Sequence, residues 1–113
     1  MIYKIIPYPK PRMVRSDKWK KRACVMRYRA FADEVRRLEI TIKESGDFVR
    51  FYIPMPKTWS RAKKDRMRLT PHRCRPDVDN LLKSLLDAIF EDDSHIYDIR
   101  VKKIWDDEGG IGL

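Results

Sequence analysis

Apolar positions along this chain change period several times, and each change marks an element. Ile2 to Ile6 is a short apolar, β-forming run stopped by prolines at 7, 9 and 11, which predicts a strand of limited length. Tyr28, Phe31, Val35 and Leu38 then recur at i, i+3, i+7 and i+10, the spacing of one buried helix face. They predict a helix over about Lys21–Leu38, with Arg27, Arg29, Arg36 and Arg37 interleaved. Glu44-Ser45-Gly46-Asp47 is a turn signal, and the β-forming run Phe48 to Ile53 predicts a strand ended by Pro54 and Pro56. Glu39 to Ile42 also alternates, so the pattern is compatible with a hairpin across that turn.

Pro54 to Arg75 has no core period and reads as a long connection with a short helix across Ser60–Arg66. The strongest element follows. Val78, Leu81, Leu82, Leu85, Leu86 and Ile89 gather on one side of a helical wheel, with Asp79, Asn80, Lys83, Ser84 and Asp87 opposite. After an acidic break at Glu91-Asp92-Asp93-Ser94, Ile96 to Trp105 reads as a strand. Tyr97, Ile99, Val101, Lys103 and Trp105 share one of its faces, and Arg100 and Lys102 point the other way. Asp106 to Gly110 is a turn, and Ile111 to Leu113 begins a last short strand. The sum is an α+β fold: one small domain over residues 1–113, a mixed sheet packed against two main helices.

Charge changes the picture. The chain has 26 Lys+Arg against 17 Asp+Glu, a formal +9 on 113 residues, which favours a polyanionic partner, most often nucleic acid. The surplus concentrates in two irregular stretches, about 7–22 and 54–76, with Trp19 and Trp59 embedded. Lys10, Arg12, Lys57, Arg61, Lys63, Lys64, Arg73 and Arg75 are the candidate nucleic-acid contacts, through phosphate and base stacking, with a merely solvated charged surface as the alternative. No helix-turn-helix or finger pattern is present, so the expected recognition is of backbone and shape. Cys24 and Cys74 lack zinc-site spacing, the N-terminus lacks a signal-peptide core, and no run reaches the ~20 apolar residues of a membrane span. A cytoplasmic protein with no small-molecule cofactor is expected.

The acids of this basic chain carry the candidate chemistry. Asp77 and Asp79 stand after Pro76 where the amphipathic helix must start, and Asp92 and Asp93 follow its end. Two aspartates at a helix entrance and a third from the next loop would suit magnesium, which takes one or two carboxylates and fills its shell with water and phosphate. Lys83, one turn after Asp79, can reach a phosphate held there, and Asn80 can orient Asp79. A purely structural role is open for the same residues: aspartates cap helices and favour their first turn, and Asp79 with Lys83 is an ordinary i,i+4 ion pair. Asp87 and Asp92 read equally as solvated or as supporting residues. His72 and His95 read as surface residues, and Asp106-Asp107-Glu108 as a solvated turn.

The run Arg75-Pro76-Asp77-Val78-Asp79-Asn80-Leu81-Leu82-Lys83-Ser84-Leu85-Leu86-Asp87-Ala88-Ile89, then Asp92-Asp93-Ser94-His95-Ile96, is more specific than its parts and resembles the RusA family of Holliday-junction resolvases, phage and prophage members included. Pro9-Lys10-Pro11-Arg12 and Ile53 to Ser60 are similar to the same family. The resemblance implies a dimeric RusA-like fold and a magnesium-dependent endonuclease, with manganese a candidate substitute, that resolves four-way DNA junctions by paired symmetric nicks in recombination and repair. It places the catalytic, metal-binding aspartates on Asp77, Asp79 and Asp93 and the functional lysine on Lys83, with Asn80 and Asp92 in support. The link from Asp87 to Asp92 is shorter than in many relatives, leaving Asp92 and Asp93 both open for the third position, and the chain stops soon after Trp105, where relatives add a fuller strand. The competing readings are a nuclease of broader branched-DNA preference, a non-catalytic basic DNA-binding module, and an RNA-binding protein.

Overall fold

The computed structural model describes residues 1–12, 14–18 and 22–113, with the side chains of 17 and 18 left aside. The reading of Trp19, Lys20 and Lys21 therefore lies outside the described residues. The elements, in order, are β1 (Ile2–Tyr3), α1 (Ala23–Arg37), β2 (Ser45–Pro54), α2 (Arg61–Met67), α3 (Val78–Ile89), β3 (Asp98–Asp106) and β4 (Gly110–Gly112). The strands form one mixed sheet in the order β1-β4-β2-β3. β4 is antiparallel to both β1 and β2, whereas β2 and β3 run parallel in register from Asp47↔Ile99 to Pro54↔Asp106. A parallel pair needs a long crossover, and the 55–97 segment that carries α2 and α3 supplies it.

Alternation along β2 separates the two faces of the sheet. Val49 and Phe51 are fully buried and join Phe31, Ala32 and Val35 of α1, Leu81 and Leu85 of α3, and Ile111 of β4 in one core. Each of the larger side chains contributes about 1.5–3 kcal/mol by leaving water. The register sets Val49 opposite Val101, Phe51 opposite Lys103 and Ile53 opposite Trp105, so β3 presents its Ile99, Val101, Lys103, Trp105 face to the helix side, as the alternation predicts. Phe48, Arg50, Arg100 and Lys102 hold the other face, where the Phe48 ring lies 4.4 Å from the Arg100 guanidinium and 5.5 Å from the Lys102 ammonium.

Several expectations are corrected. No hairpin crosses Glu44–Asp47, because α1 ends in a Schellman turn that consumes the residues such a strand would need. The Glu39 N–H donates to Arg36 O and the Ile40 N–H to Val35 O, with Glu39 in the left-handed region at φ 55. Ile40 and Ile42 drop into the core without forming a strand, and Ser45–Asp47 begin β2 through a bulge where Gly46 takes φ 89. β1 spans Ile2–Tyr3 only, and the chain just beyond it passes so close to Gly109 that a Cβ there would lie 2.8 Å from the Ile6 Cα. β3 starts at Asp98, leaving Tyr97 outside it and 75% exposed. On α3 the buried face runs through Leu81, Ser84, Leu85 and Ala88, so Ser84 lies inside and Val78 outside, opposite to the wheel. The small residues at 84 and 88 let α1 close on α3, and the Arg36 Nε donates to Ala88 O at 3.0 Å, meeting the negative end of that helix.

α2 follows its expected place, with the Ser60 hydroxyl accepting from the Lys63 N–H as N-cap. Arg68, at its far end, makes a forked pair with Asp107 at 2.8 and 3.0 Å and a third bond to Asp65. Those carboxylates hold its guanidinium pKa above the ordinary value. Residues 69–72 then run along the outer edge of β3, exchanging backbone hydrogen bonds with Lys103 and Trp105. Among the described residues nothing pairs with the outer edge of Asp98–Lys102.

Candidate active site

Asp77 occupies the N-cap position of α3 in extended backbone, yet its side chain makes no capping hydrogen bond. Asp79 lies in the first turn, where its Oδ1 accepts from the Asn80 N–H at 2.9 Å and, among the described residues, from no cation. Both carboxylates are exposed at the positive end of the helix. Both aspartates thus take the places that the helix dipole favours, but Asp77 is not spent on a capping hydrogen bond and Asp79 is not paired with Lys83. Asp77 and Asn80 line an open cleft of about 530 Å³ together with Pro9, Arg75 and Pro76.

Lys83 turns one step further along the helix. Its ammonium lies 3.0 Å from Asp87 Oδ1 and 3.8 Å from Asp93 Oδ2. Hydrogen bonding and charge from Asp87, with the Asp93 charge, raise the Lys83 pKa and keep it cationic. The other oxygen of Asp87 accepts from Lys10, whose ammonium also lies 5.8 Å from the Tyr28 ring centroid on α1. Partial burial pushes the Asp87 carboxyl up, but hydrogen bonds from Lys10 and Lys83 outweigh it and leave its pKa below the ordinary value. Asp87 thus ties the N-terminal segment to α3 and clamps the candidate functional lysine.

Asp92 and Asp93 differ. Asp92 Oδ1 accepts from the Ser94 N–H at 2.9 Å and organises its own turn, whereas Asp93, with 29% of its side chain exposed, faces Lys83. The structure does not gather Asp77, Asp79 and Asp93 into one cluster, and among the described residues no group of three or more acids, His or Cys is close enough to hold a metal ion. Two aspartates at the helix entrance, paired with no cation among the described residues, fit the chemistry of magnesium bound through one or two carboxylates.

Lys103 was not legible as a site residue. From the helix-side face of β3 its ammonium donates to the carbonyls of Cys74 and, at 2.5 Å, Pro76, which pins the segment entering Asp77 against the sheet. The Arg75–Pro76 peptide bond in that segment is cis. His72, read as a surface residue, is 4% exposed, with its ring 4.4 Å from that of Trp105. Burial and the nearby Lys103 lower its pKa from the ordinary imidazole value. Cys74 is exposed and Cys24 half-buried, both as free thiols.

The candidate DNA contacts divide. Lys10 is engaged by Asp87, Lys63 lies over the Trp59 ring at 4.3 Å, and Lys64 is half-buried. Arg12, Lys57, Arg61, Arg73 and Arg75 are exposed. No helix among the described residues is long and apolar enough to cross a membrane.

The fold and site define a two-layer α+β domain whose longest crossover delivers an uncommitted pair of aspartates beside a basic surface. Residues 3–113 match the family profile described as Endodeoxyribonuclease RusA, and the chain belongs to that family. It is also similar to the uncharacterized protein YqaN of Bacillus subtilis (strain 168), 38% identical over 68 residues that cover 53% of this chain and 48% of that protein. The chain thus aligns with about half the length of that curated relative. No solved structure matches it.

Proposed function

We propose that this chain is a magnesium-dependent DNA endonuclease that resolves four-way junctions by paired symmetric nicks, as a homodimer acting in recombination and repair. The observation that carries this reading is the state of Asp77 and Asp79: two exposed carboxylates at a helix entrance, paired with no cation among the described residues, in a chain of the RusA endodeoxyribonuclease family. Asp77, Asp79 and Asp93 are the proposed ligands, with Asp93 preferred over Asp92 because Asp93 faces Lys83 on α3. A bound magnesium, or manganese in its place, would activate water and polarise the scissile phosphate.

The chain's own residues do the rest. Lys83, held cationic between Asp87 and Asp93, neutralises charge developing on the phosphoryl oxygens. Asn80 orients Asp79 from the adjacent position, and Lys103 fixes the backbone from which Asp77 projects. Arg73 and Arg75 guide the DNA backbone toward the cleft. A homodimer matches the two equivalent strands of a four-way junction, because one two-fold axis relates both cuts.

The test is a labelled synthetic four-way junction incubated with magnesium or with EDTA, beside a fork, a linear duplex and the Asp79→Asn variant. Paired nicks that need both magnesium and Asp79 and favour the junction are expected. Equal cutting of the fork would replace junction resolution by broader branched-DNA cleavage. Tight binding without cutting under any divalent ion would replace it by a binding module.

A further inference from the structure

A second concavity lies beside the first. It is an open groove of about 600 Å³ between α2 and the chain entering α3, lined by Trp59, Lys63, Arg66, Arg73, Cys74 and Trp105 among others. Its floor is aromatic. The Trp59 ring packs at 4.8 Å against Trp105, which packs in turn at 4.4 Å against the buried His72. Three rings from three segments hold one another, so Trp59, half-buried at the outer end, is preorganised. Its lining residues include three cations, Lys63, Arg66 and Arg73, and no acid.

We propose that this groove binds one unpaired nucleotide of a DNA substrate, its base stacked on Trp59 and its phosphates held by Lys63, Arg66 and Arg73. The Lys63 ammonium, 4.3 Å from the Trp59 ring centroid, shows that this face accepts a cation and is not covered by core. A base displaces that ammonium, which moves to the adjacent phosphate, so stacking and charge neutralisation are gained together. The alternating tryptophan and cation chemistry suits a base with its phosphate better than a duplex, whose bases are stacked on one another. Arg73 and Cys74 line this groove while Arg75, Pro76 and Asp77 line the cleft, and at ~3.6 Å per residue Arg73 and Asp77 lie within about 14 Å. The inference rests on the nuclease reading, since it places an unpaired nucleotide a short distance from the proposed cutting site.

The experiment measures binding of fluorescent (dT)8, of an abasic eight-unit strand and of an eight-base-pair duplex to the full chain in EDTA. Trp59→Ala should weaken (dT)8 by roughly 5- to 150-fold and leave the abasic strand and duplex within about twofold, with Trp59→Phe restoring much of the loss. Lys63→Gln should lower the salt slope for (dT)8 by about 0.7. An equal loss on all three probes, with circular dichroism unchanged, would overturn the stacking site, as would no loss on any. Because magnesium is absent, base-dependent binding without junction cutting would remove only the nuclease reading, and cutting without base-dependent binding would remove only this groove.

Discussion

The solvent side of α3 and the 57–75 connection use the chain's cations in opposite ways. At α3, Lys10 and Lys83 are each tied to Asp87, and Lys83 also faces Asp93, so charge is balanced locally and geometry is fixed. Along 57–75, Lys57, Arg61 and Arg73 are exposed, and Lys63 rests on an aromatic ring. A paired lysine near free carboxylates is built to act at one position. Unpaired cations spread over a connection make a field that collects a polyanion from many directions. A formal +9 does not distinguish these uses; the partners of each cation do.

The sharpest way to break this comparison is at the acids. On the proposed function, Asp77→Asn and Asp79→Asn should each reduce junction cleavage by about 1,000-fold, since several kcal/mol of transition-state stabilisation would depend on the ion proposed to bind there. Junction binding in EDTA should hold or tighten as repulsion falls. Cleavage that survives both substitutions would leave the two aspartates as charges at the positive end of α3 and nothing more. Lys83→Met should cost about 100-fold or more in kcat, read under single-turnover conditions. Arg73→Gln, in the other region, should raise Kd several-fold, reduce the salt slope by about 0.9 and leave saturated kcat unchanged. Matching kinetic signatures for the two would erase the distinction.

Asp87→Asn should cost about tenfold in cleavage by releasing Lys83, and it carries a pH signature besides. The folded carboxyl titrates below the ordinary 3.8, so its stabilising contribution is complete well above that value and is lost as pH falls through the lower, folded one. Urea midpoints of wild type and variant should therefore differ at neutral pH and converge as acidification proceeds below 3.8. A gap that persists in acid would mean that packing, not charge, holds the site. The smallest expected effect lies outside both regions. Glu39→Gly relieves a left-handed backbone and should raise unfolding stability by about 1 kcal/mol with cleavage unchanged.

Periodicity carried α1, α3 and the strand faces, because each depends on which side of a single element meets the core. Val25 to Val35 and Leu81 to Leu86 are buried much as the spacing requires. What the pattern could not carry depends on distant segments. Ser84 is inside on a helix that packs against α1, and His72 is inside with its ring against Trp105, although both residues are polar in any local reading. The parallel pairing of β2 with β3 joins residues about fifty positions apart, whereas the alternation before Gly46 suggested a local partner. At the site, the Asp77 to Lys83 motif was legible as a run of residue types. The clamp by Asp87 and the anchor by Lys103 were not, because each acts across elements whose juxtaposition no spacing encodes.

The half-open border of β3 has a further consequence, for solubility. Among the described residues nothing pairs with one side of Asp98–Lys102, and its backbone donors and acceptors are the template on which a stray strand would add. Arg100 and Lys102 stand on that stretch as exposed like charges, and a second copy approaching edge to edge would have to bring such charges together. Part of the positive charge thus acts as a gatekeeper against amyloid-like association, and replacing both residues by threonine would convert this border into an adhesive one.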